Sequence, residues 1–409
     1  MKILILSGRL LYPANTGARI RSSRLFERLA RIHDVTIACL KTAFEGPDEL
    51  QLMRACCSRL ETVDWTEHAK FTPAFWSELA LNLFSPYPYT VVKYVSPRMQ
   101  QRLRNLLKDS EYDVLVCDFV QPTLNALELP FRPKILFQHN VEAVLRERHY
   151  RQTFNPLARA FLYWEWVRLR RFEGFAAHRF DHCIMVSNED CCTMKDLYGV
   201  THTSAIPTGV DVEYFQPREP EAAGHHLVFT GSMDWLPNED AIQFFVRDVM
   251  PLIRRVLKEV TFWVVGRDPS SAVRRLGQDN PDVKITGTVP DVRPFIDRAS
   301  VYVVPLRIGG GTRIKIFEAM AMEKAVVSTR VGAEGLPVSH GANIVLADDA
   351  QAIARETVAL LRDSVSRRRI GRAARRLVVD NYTWDAAARR FSDICEAVVR
   401  KERSVLSCV

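Results

Sequence analysis

No stretch of this chain approaches the roughly 18 consecutive apolar residues of a membrane span, so a helical membrane protein is excluded. The N-terminus, MKILILSGRL, runs into charge too soon for a secretory leader, and a cytoplasmic protein is therefore expected. Cysteines at 39, 56, 57, 117, 183, 191, 192, 395 and 408 include no CxxC pair and no even framework; reduced structural thiols are expected. A DxD motif is missing, so no metal is implied. A nicotinamide enzyme would need GxGxxG after a strand with an acidic residue downstream, and neither SGRLLYPANTG nor RIGGGTRIK supplies it. Short repeats and low-complexity tracts are also lacking.

What remains is the composition of a globular protein, with 47% hydrophobic and 25% charged residues. Its 409 residues exceed one ordinary core, which favours two domains. The formal charge of +8 asks for an anionic partner: a nucleotide, a membrane surface or nucleic acid. The basic residues are scattered rather than gathered with aromatics into one groove, which argues against nucleic acid.

Strand patterns at KILIL (2–6), VTIACL (35–40), YDVLVCDF (112–119), KILFQH (134–139) and HCIMVS (182–187) alternate with helical ones. The same grammar restarts at HLVFTG (226–231) and continues through TFWVVG, VKITGT, VYVVPL, AVVST and NIVLA. Two such series predict an α/β protein of two doubly wound, Rossmann-like domains. The boundaries read as 1–205, a linker at 206–225 rich in Pro, Gly and charge, 226–385, and a C-terminal helix over 386–409 returning toward the first domain.

The segment PLRIGGGTRIKIFEAMAMEKAVV places Gly309, Gly310, Gly311 and Thr312 between a strand and a helix, with Ile314, Phe317 and Ala321 on the buried face of that helix. Glycines let backbone N–H groups approach an anion, and Arg313 and Lys315 add charge-assisted bonds suited to a diphosphate. A tight turn alone would also explain the glycines. Glu318 is open to two readings, a solvated surface carboxylate or an acceptor for the two hydroxyls of a ribose.

EAMAMEKAVVSTRVGAEGL, IMVSNEDCCTMKDLYGV and IPTGVDVEYFQP together resemble the retaining GT-B glycosyltransferases of family 4, which transfer a sugar from a nucleotide diphosphate donor. FQHNVE, GSMDWLPN and GGGTRIK resemble the branch found in bacterial exopolysaccharide and exosortase-linked gene clusters. The resemblance implies two Rossmann-like domains facing across a cleft and transfer with retention. It implies no resident cofactor, the nucleotide sugar being a co-substrate, and a saccharide or lipid-linked acceptor. Of the two glutamates usual in the family, the second aligns with Glu318 and the first with Gly310, a departure from the pattern. The Arg and Lys that usually follow the first strand of the second domain are missing from GSMDWLPNED, which suggests that Arg313 and Lys315 replace them and leaves Ser232 and Asn238 as neutral donors. By the same resemblance Gly17 would touch donor phosphates, His139 would lie near the sugar, and Gly266 and Val289 would hold the base through backbone. Arg313, Lys315, Glu318 and His139 form the implied catalytic set. An epimerase of the same fold and a non-catalytic nucleotide-sugar-binding protein stand as alternatives.

The segments 71–89 and 154–180 mix aromatics with Arg or Pro. They are either packing helices, with Trp164, Trp166 and Phe172 in the core, or a surface on the inner membrane leaflet where Arg168, Arg170 and Arg171 meet anionic lipid.

Overall fold

The computed structural model describes residues 1–14, 16–69, 71–218, 224–308 and 314–406. The chain divides into two compact units: Met1–Pro207 with the C-terminal helix Trp384–Leu406, and Thr208–Thr383.

In the first unit the strands are β1 (Lys2–Ser7), β2 (Asp34–Lys41), β3 (Arg59–Asp64), β4 (Val114–Asp118), β5 (Lys134–Phe137), β6 (His182–Met185) and β7 (Thr203–Ala205). They form one parallel sheet in the order β3-β2-β1-β4-β5-β6-β7. Every residue of VLVCD in β4, and all but the first of KILILS in β1, is buried. A continuous apolar run suits a strand covered on both faces, and helices cover both faces here. Ile3 and Ile5 look toward one core, shared with Phe26, Trp384, Phe391 and Cys395; Leu4 and Leu6 look toward the other, with Met99, Leu103 and Phe172. Phe391 meets Phe137 edge to face at 5.3 Å, so the last helix of the chain completes the first unit.

The second unit holds β8 (His225–Thr230), β9 (Val260–Val265), β10 (Val283–Gly287), β11 (Val301–Val304), β12 (Val326–Ser328) and β13 (Val345–Leu346), parallel in the order β10-β9-β8-β11-β12-β13. Both sheets are doubly wound, and in each the order reverses beside the first strand, between β1 and β4 and between β8 and β11. At such switch points the loops leaving the strands part and open a crevice at the C-terminal edge.

β3 and β7 escape the sequence pattern. RLETVD has no fully buried residue and mixes exposed with partly buried ones, and TSA is too short for periodicity; both strands lie at the sheet's edges. The eight cysteines of the described residues are all free. Among those residues no helix is long and apolar enough to cross a membrane.

Candidate functional site

The switch point of the second unit carries the charged residues. Gly231, directly after β8, has φ +156, and a Cβ there would lie 2.7 Å from Lys315 Nζ and 2.8 Å from Asn238 Nδ2. Gly266, directly after β9, has φ +154, and its Cβ would lie 1.7 Å from the Gly231 carbonyl oxygen. Only glycine allows these two loops to touch backbone to backbone.

Lys315 and Glu318 stand one turn apart on the helix Ile314–Ala321, whose Ile314, Phe317 and Ala321 are buried as their spacing requires. Lys315 Nζ lies over the Phe229 ring at 4.1 Å and donates to Asn238 Oδ1 at 2.8 Å. Asn238 Nδ2 donates to the Ser232 carbonyl at 2.7 Å, and the Ser232 hydroxyl, which donates to Asp234, accepts from Arg267 Nε at 2.8 Å. Two cations, one from the helix after β11 and one from the loop after β9, thus flank the loop after β8. Glu318 is partly buried, and desolvation pushes its carboxyl up to about 7 against the opposing pull of Lys315. Val289, between β10 and the next helix, is partly buried against the core of this unit. Gly309, Gly310, Gly311, Thr312 and Arg313 lie outside the described residues.

The switch point of the first unit is closed and nearly neutral. Gly17 opens the helix Gly17–Leu29, capped by Thr16, and that helix carries Arg21 and Ser22 inward. His139 follows β5 and is 2% exposed. Its Nε2 lies 3.0 Å from Asp118 Oδ1, at the end of β4, and 3.2 Å from Ser22 Oγ. Ser22 itself donates to Asp118 Oδ1 at 3.0 Å. The ring stacks on Phe119 at 3.9 Å. Arg21 is fully buried, donates to the carbonyls of Gln138 and Ile206, and lies over the Phe137 ring at 4.5 Å. Burial holds the Arg21 guanidinium down to about 9 and the His139 imidazole down to about 4, so the ring is neutral at physiological pH.

Two family models match successive parts of the chain, and they meet a few residues beyond the boundary between the two compact units. Residues 16–214 match the model described as "Glycosyltransferase Family 4", and residues 224–363 match "Glycosyl transferases group 1". This chain is a GT-B glycosyltransferase. An uncharacterized 44.6 kDa protein in the cps region of Klebsiella pneumoniae is 21% identical over 392 residues, covering 93% of this chain and 96% of that protein. The lipopolysaccharide core biosynthesis mannosyltransferase LpcC of Rhizobium leguminosarum bv. viciae is 28% identical over 226 residues, covering 50% of this chain and 62% of its own length. The structure of Anabaena HepE in complex with UDP and glucose aligns with a TM-score of 0.66 at 18% identity, covering 96% of this chain and 98% of HepE.

Several groups of this glycosyltransferase's two switch points escaped sequence reasoning. Arg267 looks like any loop cation until the glycine contact brings it to Ser232. Asp118 left one trace, a carboxylate closing the apolar strand VLVCD. Arg21 and Ser22 left a faint one: the helical spacing of Leu25, Leu29 and Ile32 marks an inward face on which Arg21 and Ser22 also stand, four and three residues before Leu25, although Ile32 itself lies beyond the helix and is exposed.

Arg168, which the surface reading of this helix would set against lipid, is buried. Its guanidinium donates to the Asn82 carbonyl (2.7 Å), the Ser85 carbonyl (3.0 Å) and Asn82 Oδ1 (3.0 Å), and pairs with Glu165. Residues 165, 168 and 172 share one helical face, which packs inward; Arg170 and Arg171 lie off it and are exposed. Phe172 is buried and Trp164 is 45% exposed, so the helix Pro156–Arg179 both packs and presents a surface.

Proposed function

We propose that this glycosyltransferase takes a sugar from a nucleotide diphosphate donor and passes it, with retention and without a resident cofactor, to a saccharide or lipid-linked acceptor in the synthesis of cell-surface polysaccharide. The observation that carries this reading is Lys315, tied through Asn238 to the glycine-lined loop after β8, with Glu318 one turn further along the same helix. The relatives support it: one lies in a cps region, one is a lipopolysaccharide core mannosyltransferase, and the structural neighbour holds UDP and glucose.

In this reading the donor's diphosphate lies against the Gly231 loop. As the glycosidic bond breaks, charge grows on the leaving diphosphate. A lysine already oriented by Asn238 and Phe229 meets that charge with little reorganisation, which is where preorganised electrostatics contributes most. Arg313, by its place in the sequence, adds a second cation. Glu318 accepts the ribose hydroxyls, and donating groups that replace its lost hydration would favour the ionised carboxylate. Attack from the same face as the leaving group needs no second carboxylate, so Gly310 in place of the first family glutamate is compatible with the reaction. His139 lies beside the sugar.

An anionic membrane surface is the proposed setting for the acceptor. Both carboxylates of the helix Pro156–Arg179, Glu165 and Glu173, are buried, whereas Arg159, Arg170, Arg171 and Arg179 are exposed. Beside them lies an open groove of about 520 Å³ lined by Leu83, Phe84, Tyr87, Trp164, Arg171 and Phe175.

A thermal-shift screen of nucleoside diphosphates and their sugars tests the donor. A ligand at a hundred times its Kd should stabilise the protein by about 2.7 kcal/mol. Product analysis with and without acceptor then separates transfer from epimerisation. A screen in which no nucleotide diphosphate or nucleotide sugar raises the Tm would overturn the donor assignment.

A further inference from the structure

His139 is held by more than burial. Phe119 stacks on the ring at 3.9 Å with an interplanar angle of 8°, and Phe137 leans on it at 4.6 Å. Phe119 adopts φ +73, a left-handed conformation that a bulky residue avoids unless its surroundings impose it. The ring is therefore fixed in plane and position, and its two nitrogens meet different environments. Nε2 faces Asp118 Oδ1, an oxygen that already accepts the Ser22 hydroxyl. Nδ1 is buried and has no hydrogen-bond partner among the described residues.

A neutral imidazole carries one N–H and one lone pair. A lone pair on Nε2 would face a carboxylate oxygen and would leave an N–H on Nδ1 without an acceptor, and orphaned buried N–H groups are rarer than under-satisfied acceptors. The opposite arrangement gives the Nε2 proton to Asp118 and leaves only the Nδ1 lone pair unanswered. The Arg21 guanidinium, stacked on Phe137, further disfavours an imidazolium.

We propose that Asp118, assisted by Ser22, is a positioning residue that locks His139 in its Nε2–H tautomer and so presents Nδ1 as a bare acceptor for a sugar hydroxyl. This rests on the reading of His139 as the group beside the sugar. The unsatisfied nitrogen marks where that hydroxyl would donate. Asp118 touches no substrate in this scheme; it acts through the ring.

The tautomer is readable without substrate. In protein carrying 15N-labelled histidine, ring correlations at neutral pH should show His139 protonated at Nε2 and bare at Nδ1, the ring being identified by its disappearance in His139→Gln. Asp118→Asn should release the fixed tautomer and lower kcat by about tenfold or more while donor KM stays within about threefold, since proton placement beside the reacting sugar contributes to turnover and not to nucleotide binding. Asp118→Glu should recover part of the loss. A wild-type ring protonated at Nδ1, or doubly protonated at neutral pH, overturns the proposal whether or not any variant folds. So does an Asp118→Asn protein whose tautomer and kcat are unchanged. Failure of the transferase reading would look different: an Nε2–H ring in a protein that transfers no sugar from any donor.

Discussion

The two sheets carry chemistry of opposite character at equivalent places. At the β1/β4 switch point Arg21, Ser22, Asp118 and His139 are each at most 2% exposed; Ser22, Asp118 and His139 bond to one another, Arg21 bonds to backbone carbonyls, and His139 Nδ1 is buried without a partner among the described residues. At the β8/β11 switch point Lys315 and Glu318 are only partly buried, the Arg267 side chain is 35% exposed, and glycine backbone stands where side chains would otherwise be. A closed site suits holding a neutral ring still. An open, cationic one suits receiving an anion that brings its own charge. The same doubly wound frame supports both because the frame fixes only where loops part, and the residues on those loops fix what they recognise.

The sharpest way to break the comparison is to remove the charge. Lys315→Ala should lower kcat/KM by about a hundredfold, the usual order for one preorganised donor to developing charge, with little change in Tm. Steady-state kinetics across donor concentrations checks this, and a loss within twofold would return Lys315 to an ordinary helix cation.

Glu318→Gln should act in opposite directions on binding and stability. Donor affinity should fall by roughly 1.5–3 kcal/mol as the ionised acceptor is lost. Because the native carboxyl keeps its proton up to about 7 while the unfolded one releases it near 4.5, the parent loses stability as pH rises through that window. The glutamine variant lacks this loss, so its Tm relative to the parent should rise between pH 4.5 and 8, by roughly 2–4 °C for each kcal/mol relieved in a domain of this size. Equal pH profiles for the two proteins would mean that the carboxylate is well solvated.

The smallest effect belongs to the outer surface. Arg170→Ala and Arg171→Ala should each weaken binding to anionic vesicles by about 1 kcal/mol, roughly fivefold, and binding should fade as salt rises. Sedimentation with neutral vesicles is the control. No binding to anionic vesicles at low ionic strength would leave the groove at Phe84 and Trp164 without a membrane role.

Much of the fold was legible because apolar runs and helical spacing are local. VYVVPL read as a strand and Ile314, Phe317 and Ala321 as one buried face, and both are so. β3 and β7 were not legible, since edge strands answer to one neighbour and need no continuous apolar run. Arg168 was left between two readings for a related reason: in a helix dense with arginine, composition does not tell which cation points inward, and the bonds to Asn82, Ser85 and Glu165 met in the fold explain how a buried guanidinium is tolerated.

By itself, then, the sequence determined the alternation of strands and helices, the two series they form, and the placing of Lys315 and Glu318 on one helical face, because each depends on residues within a few positions of one another. Only the tertiary structure decided which polar groups meet. Ser22 and Asp118 lie 96 positions apart, Ser22 and His139 117 apart, and Lys315 and Asn238 77 apart. Their contacts arise because sheet order sets β1 beside β4 and β8 beside β11, and that order comes from how whole helices pack across the sheets, which no short stretch of chain encodes.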